Sequence, residues 1–382
     1  MAQAQAQSSS TAASLIGGAR RLVVKVGSSL LIDPATETTR VGWLATLAAD
    51  IKALSTQGKQ VVVVSSGAVA LGRAYLPGKL SSRLDQKQAA AAAGQSLLIQ
   101  RWQQALHPFD IPVAQLLLTL EDSEQRRRWL NARATLEVLL GQGALPVINE
   151  NDSVATDELR YGDNDRLSAR TAQMVKADAL ILLSDVDGLY TADPNRDPTA
   201  VHIPELHRID EETERAASGA KSGGVGTGGM RTKLMAAAIA RGSGCSTIIA
   251  SGKEDHPIGR LLAGERATVI AAPASPATAY KQWIAGSLAP AGELILDAGA
   301  LSALRKGKSL LPAGIKGVRG EFSKGACVSV LDEAGAEIAR GMANYSASDI
   351  GKIKGLPSEQ IEGRLDFRGP DEVIHRNDLV LK

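Results

Sequence analysis

Through the first two thirds of the chain, short β-branched and aliphatic runs alternate with longer segments whose apolar positions recur at helical spacing. Leu22–Val26, Val61–Val64, Pro112–Thr119, Ala144–Ile148, Ala179–Ser184 and Thr247–Ala250 have the length and composition of buried strands. Between the first two, Val41–Gln57 places Val41, Leu44, Leu47, Ala48, Ile51 and Leu54 on one helical stripe, and Gly58 stops it. Helical spacing also marks Ala89–Leu106, Leu130–Leu140, Arg166–Val175 and Leu234–Arg241. Strands that are apolar on both faces, separated by amphipathic helices, predict an α/β fold: a three-layer αβα sandwich around a mostly parallel, open sheet. Thr247–Ala250 is expected to be its last strand.

The pattern then changes. Ala267–Pro290 is rich in alanine and proline and reads as a linker, 267–290. Beyond it, Leu294–Asp297, Ser309–Leu311, Ile315–Val318, Cys327–Leu331 and Glu337–Met342 are short strands set off by Gly or Pro, with Leu379–Leu381 a further one. Many short strands with glycine turns predict a small β-barrel-like domain. The expected organisation is a leader 1–20, a nucleotide-type α/β domain 21–266, the linker, a β domain 291–372 and a tail 373–382. Met1–Ser14 is Ala, Gln, Ser and Thr without a basic or apolar signal region, so the leader is expected to be disordered and is not a secretory signal.

Composition narrows the function classes. With 43 Lys and Arg against 41 Asp and Glu, the chain has no general electrostatic grip on nucleic acid or acidic membrane. No apolar run reaches the ~20 residues that span a bilayer. Cys245 and Cys327 form neither a metal spacing nor a disulfide framework, which suits a reducing cytoplasm and packed thiols. The histidines, His107, His202, His207, His256 and His375, are scattered and offer no nucleophile or base.

Candidate chemistry sits in the loops that follow strands. Ser218–Lys233 reads S-G-A-K-S-G-G-V-G-T-G-G-M-R-T-K and opens a helix. Its glycines can turn several N–H groups toward one anion, and the helix start and Lys233 add positive charge. It is not the common G-x-x-x-x-G-K-[ST] loop, and by itself it equally suits a solvated turn. Leu22–Val26 delivers Lys25 and then Gly27-Ser28-Ser29, and Val61–Val64 delivers Ser65-Ser66-Gly67. Asn149-Glu150-Asn151-Asp152-Ser153 follows another strand, and Gly162-Asp163-Asn164-Asp165 opens a helix; caps and Asx turns would absorb some of that polarity. All these loops leave the carboxyl edge of one sheet, where open α/β sheets bind ligands. Lysines and glycine turns suit phosphate oxygens, and the carboxylates suit ammonium or magnesium. Phosphoryl transfer to a small zwitterion needs such a pairing, with magnesium bridging the nucleotide phosphates.

The segments V-V-K-V-G-S-S (Val23–Ser29), V-S-S-G-A (Val64–Ala68), P-V-I-N-E-N-D (Pro146–Asp152), G-D-N-D (Gly162–Asp165), D-G-L-Y-T-A-D-P (Asp187–Pro194) and G-T-G-G-M-R-T-K (Gly226–Lys233) resemble, in order and spacing, the glutamate 5-kinases of the amino acid kinase family. From Ala291, with S-L-L-P-A-G-I-K (Ser309–Lys316), the chain resembles the PUA domain appended to many of them. The resemblance implies the amino acid kinase fold and ATP-dependent phosphorylation of the L-glutamate side chain, the start of proline biosynthesis. It implies ATP and Mg2+ as co-substrate and cofactor. It assigns Lys25 and Lys233 to the transferring phosphoryl group, with Asp165 orienting them. Ser66, Asn149, Asp152 and Asn164 match glutamate-binding positions. Lys25, Ser184, Asp185, Thr227, Gly228, Gly229, Met230, Arg231, Thr232 and Lys233 match the nucleotide site, Ser184 standing where the family pattern has Thr. It also implies a cytoplasmic homo-oligomer, feedback by L-proline and handover of a labile product to the next pathway enzyme. Two alternatives stay open: another acceptor (N-acetylglutamate, aspartate, carbamate or uridylate), and RNA binding through the PUA-like part. For the latter, Arg305, Lys306, Lys308, Lys316, Arg319 and Lys324 form a basic set diluted by Asp297, Glu321, Asp332, Glu333 and Glu337, with stacking aromatics nearly absent.

Overall fold

The computed structural model describes residues 11–33, 35–36, 38–154, 164–194, 196–211, 213–214, 229–286 and 289–382. They form two compact units, Met1–Pro276 and Ala277–Lys382.

The first unit is built on β1 (Arg21–Val26), β2 (Gln60–Ser65), β3 (Val113–Leu118), β4 (Leu145–Glu150) and β5 (Ala179–Ser184). A two-stranded antiparallel hairpin follows, β6 (Leu189–Tyr190) with β7 (His202–Ile203). Then come β8 (Glu205–Leu206), β9 (Ser246–Ser251) and β10 (Ala267–Ile270). The main sheet has the order β3-β4-β2-β1-β5-β9-β10-β8, parallel from β3 through β9. β10 runs antiparallel to β9.

Alternation along each strand splits the core in two. Leu22, Val24 and Val26 join the layer containing the Val41–Thr56 and Leu84–Leu106 helices, with Trp43, Leu47 and Trp102 buried there. Val23, Val62 and Leu180 face the opposite layer, with the Arg126–Gly141, Asn164–Met174 and Met230–Gly242 helices. By the same period, Lys25 shares the face of Val23. That places it among the Asn164–Met174 and Met230–Gly242 helices rather than on the side of Trp102.

Four expectations need correction. Residues 11–18 of the leader are helical, with Ala12 and Ile16 fully buried in the first core cluster. Lys59 donates to the carbonyls of Gly17 and Ala19 at its end. The short polar-flanked stretch carries too few apolar residues to announce this, since burial depends on a groove supplied by distant segments. Thr247–Ala250 is not the last strand, and 267–290 is not a linker. Ala267–Ile270 is β10 in the main sheet, and Pro276–Gly286 is a helix. Prolines beside both elements mask them, although a proline at a helix start costs no hydrogen bond. In the segment 373–382, Leu379–Leu381 is a strand as expected and pairs with Glu337–Met342, and Val373 and Ile374 are fully buried. Finally, Ser309–Leu311 is not a strand; only Leu310 bridges, to Ile374.

The second unit holds a five-stranded sheet of β11 (Glu293–Leu296), β12 (Ile315–Arg319), β13 (Cys327–Leu331), β14 (Glu337–Met342) and β15 (Leu379–Leu381), in the order β12-β11-β13-β14-β15. Lys316 and Arg319 of the basic set are ion-paired with Glu333 and Glu293. Cys245 and Cys327 are free and buried, and burial raises the Cys245 thiol well above its ordinary value. No helix among the described residues is long and apolar enough to cross a membrane.

Candidate active site

Strand register sets the site. Val26 lies opposite Ser65 on one side and Leu183 on the other. Gly27, Ser66 and Ser184 are therefore reached at one level of the sheet edge. Val64 lies opposite Ile148, which brings Asn149 level with Ser65 and Val26, one residue before that edge. β1 is also where the chain order reverses, with β2 on one side and β5 on the other, the position at which open α/β sheets leave a crevice.

Two clusters meet at the start of the Asn164–Met174 helix. Asp165 is fully buried, and Lys25 Nζ sits 2.7 Å from its Oδ1. Lys233 Nζ is 3.6 Å from Oδ2, to which the Thr232 hydroxyl donates at 2.7 Å. Lys233 is in the first turn of the Met230–Gly242 helix, so the positive end of that helix adds to it. Burial by itself pushes the Asp165 carboxyl up, but the Lys25 and Lys233 charges and the Thr232 hydrogen bond outweigh it and hold it down at about 2. Burial lowers the Lys233 ammonium against the pull of Asp165. Two ammoniums thus share one carboxylate, and all three groups are buried.

One residue earlier, Asn164 points the other way. Its Nδ2 donates to Ser66 Oγ at 2.7 Å and to Asn149 Oδ1 at 3.0 Å. Asn149 Oδ1 also accepts the Glu150 N–H at 2.9 Å. Asn164 Oδ1 is buried without a hydrogen-bond partner among the described residues. Ser66 is presented by Gly67, whose φ of 115° turns the chain from β2 into the Ala68–Tyr75 helix. Asp152, in the turn after β4, is 8% exposed, has no ion pair among the described residues, and burial pushes its carboxyl up to about 6.

On the far side of the lysines, the Ser184 hydroxyl donates to Asp185 at 2.9 Å, and Gly252 N–H fixes the Ser184 carbonyl at 2.8 Å. Asp185 is exposed and near enough to Lys233 to act on its charge. Of the expected phosphate loop, Gly229 caps the helix, Met230 is half-buried and Arg231 is exposed. Thr227 and Gly228 lie outside the described residues, as do Gly162 and Asp163.

The structure thus brings Lys25, Lys233, Thr232 and Asp165 into one contact group and Ser66, Asn149 and Asn164 into another. Among the described residues Asp152 joins neither group, and Asp185 acts on the Lys233 charge. Two braces were missed from sequence: Trp102 Nε1 donates to Ser65 Oγ at 3.0 Å, and Gln95 Nε2 to the Glu150 carbonyl at 3.1 Å. Both come from the Leu84–Leu106 helix, where their spacing signals only a buried face. The described residues hold no group of three or more His, Cys, Asp or Glu able to take a metal ion.

A family model described as the amino acid kinase family matches residues 20–251, and one described as the PUA domain matches residues 292–365. The glutamate 5-kinase of Caulobacter vibrioides (strain NA1000 / CB15N) is 57% identical over 367 residues, covering 95% of this chain and 97% of the relative. That of Paramagnetospirillum magneticum (strain ATCC 700264 / AMB-1) is 55% identical, covering 96% and 99%. Glutamate 5-kinase 1 of Rhizobium meliloti (strain 1021) is 52% identical, covering 95% and 92%.

Proposed function

The chain belongs to the amino acid kinase family, and from that premise we infer that it transfers the γ-phosphoryl group of ATP to the side-chain carboxylate of L-glutamate. The product is L-glutamyl 5-phosphate, and the reaction is the first step of proline biosynthesis. The observation that carries this reading is a single helix start serving two subsites, Asn164 turned to the polar cluster and Asp165 to the lysines.

An oxygen of the glutamate side chain attacks the γ-phosphorus, the bond from that phosphorus to the β-bridging oxygen breaks, and ADP leaves with the electron pair. The attacking carboxylate is already ionised at neutral pH, so no general base is required. Placement and positive charge are what the protein must supply. Lys25 and Lys233 supply the charge, and Asp165 holds both ammoniums in place from beneath. On the acceptor side, the buried Asp152 carboxylate suits the substrate ammonium, and the free Asn164 Oδ1 accepts a further N–H. That pairing favours a free amino acid over N-acetylglutamate, whose nitrogen carries no charge. Ser184, Asp185 and Gly229–Lys233 line the nucleotide side, with Thr227 and Gly228 assigned there by sequence alone.

The described residues do not fit a dedicated magnesium cage, because Asp165 is taken by the lysines and no other acidic group gathers. Magnesium would instead come with the ATP phosphates and would neutralise part of their charge. We place the enzyme in the cytoplasm, where ATP is available and the buried thiols stay reduced. Homo-oligomerisation, inhibition by L-proline and handover of the labile acyl phosphate belong to the same reading. The C-terminal unit is given no RNA partner, since two of its basic residues are already ion-paired.

The test is trapping of the product with hydroxylamine. A hydroxamate should form that requires glutamate, ATP and magnesium together. More hydroxamate from aspartate or N-acetylglutamate than from glutamate would reassign the acceptor. ATP turnover on uridylate without hydroxamate would remove the carboxylate chemistry altogether.

A further inference from the structure

Thr268 of β10 and Arg266, one residue before the strand, reach the segment that follows Ser184 and Asp185, and both lie beyond the family match, which ends at Ser251. Thr268 is fully buried; its hydroxyl accepts the Leu189 N–H at 2.7 Å and donates to the Ile203 carbonyl at 2.6 Å. One hydroxyl therefore pins both partners of the Leu189–Ile203 pair in the β6–β7 hairpin. Two residues earlier on the same face, Arg266 Nη1 donates to Asp187 Oδ2 at 3.3 Å and to the Tyr190 phenol oxygen at 3.1 Å. The Tyr190 hydroxyl in turn donates to the Asp187 carboxylate at 3.0 Å. The turn between Asp185 and Leu189 has no slack. Gly188 has φ 150°, and a Cβ there would stand 2.4 Å from His202 Nε2 and 2.6 Å from Thr268 Oγ1.

This face is the one that carries the lysines. Ile270 and Leu189 belong to the core cluster that packs the Met230–Gly242 helix, whose first turn holds Lys233. Asp187 therefore sits on the nucleotide side of the site, where an uncompensated carboxylate would oppose a polyanion. We propose that Arg266 is a positioning residue for ATP: its guanidinium fixes the Asp185–Tyr190 segment and neutralises Asp187 beside the nucleotide. The proposal rests on the assignment of the Ser184–Asp185 side to ATP. Arg266 and Asp187 side chains are each 37% exposed, so solvent screens their pairing and the effect is moderate.

The experiment compares the unchanged chain with Arg266→Met, Arg266→Lys and the double variant Asp187→Asn/Arg266→Met. ATP affinity is measured calorimetrically without glutamate, and both KM values are measured by hydroxamate formation. Arg266→Met should weaken ATP binding and raise the ATP KM by about fivefold, the upper range for a half-exposed pair, with the glutamate KM unchanged. Removing the carboxylate as well should return the ATP KM to within about twofold of the unchanged chain, and Arg266→Lys should fall between. Normal ATP affinity in Arg266→Met overturns the proposal. So does a parallel rise in both KM values with no recovery in the double variant, which marks a merely structural residue. If Arg266→Met does not fold, Arg266→Lys and the double variant carry the same comparison. An unchanged chain that binds ATP but forms no hydroxamate defeats the glutamate assignment instead, and the calorimetric comparison still decides the role of Arg266.

Discussion

Lys25 and Lys233 look from sequence like loop lysines that could be removed at little cost to folding. In the structure they are 8% and 4% exposed and share one fully buried carboxylate. Lys25→Ala and Lys233→Ala should each lower kcat by about 10²–10³, the scale of one pre-organised charge contact. Asp165→Asn should take from both ammoniums the buried carboxylate they share and destabilise the fold by about 3–5 kcal/mol, more than either lysine variant. Denaturant midpoints of the three variants check that order. Asp152 carries the opposite strain. Its folded pKa of about 6 lies above the ordinary 3.8, so the folded state holds the proton more tightly. The stabilisation this gives is complete below the unfolded value and is lost as pH rises through the folded one. At neutral pH the ionised group costs on the order of 2 kcal/mol. Asp152→Asn should therefore raise the melting temperature near neutral pH, with little effect at about pH 4. The same change should raise the KM for glutamate more than that for ATP. In the unchanged chain the glutamate KM should climb as pH falls through the Asp152 value; equal KM changes for both substrates would make Asp152 structural.

Among elements, the pair Ala68–Tyr75 and Leu84–Leu106 shows how packing reaches the site. A Cβ on Gly94 would stand 1.8 Å from the Ala68 carbonyl oxygen and 2.7 Å from Gly72 N, both backbone atoms. The first helix must then shift, and it begins one residue after Ser66 and Gly67. Gly94→Ala should destabilise by about 1–3 kcal/mol, as overpacking does. It should also weaken glutamate through Ser66 while sparing ATP. A folded variant with normal stability and an unchanged glutamate KM would show that the helix pair absorbs the methyl without moving Ser66. The alanine run in Leu84–Leu106 announces close packing in the sequence. Which glycine meets which carbonyl is visible only once both helices are placed.

For the whole molecule, the boundary between compact units falls at Pro276, after β10. A fragment ending at Pro276 keeps the eight-stranded sheet, both lysines and Arg266. It should retain glutamate-dependent hydroxamate formation, with any change confined to regulation or association. A soluble, folded fragment without activity would show that the C-terminal unit helps build the site. A cut before β10, placed where the alanine- and proline-rich composition suggests a linker, should remove Thr268, leave Arg266 as a chain end without its strand, and cost ATP affinity as well.

The sequence by itself determined the α/β class, the parallel order of short apolar strands, and the polar loops at their carboxyl ends. These are written locally: a β-branched run, a glycine stop and an Asn/Asp helix start each act over a few residues. Lys25, Asn149, Asn164, Asp165 and Lys233 were legible for the same reason, each lying at the end of a strand or the start of a helix. Tertiary structure decided what no local pattern encodes. The helix at 11–18 is held by a groove it does not supply, and β10 by neighbours far along the chain. Strand parity put Lys25 on the face of the Asn164–Met174 and Met230–Gly242 helices, so that one carboxylate holds two lysines contributed more than 200 residues apart. Arg266 gave no signal at all, because its meaning depends on Asp187 and Tyr190, which only the antiparallel course of β10 brings within reach.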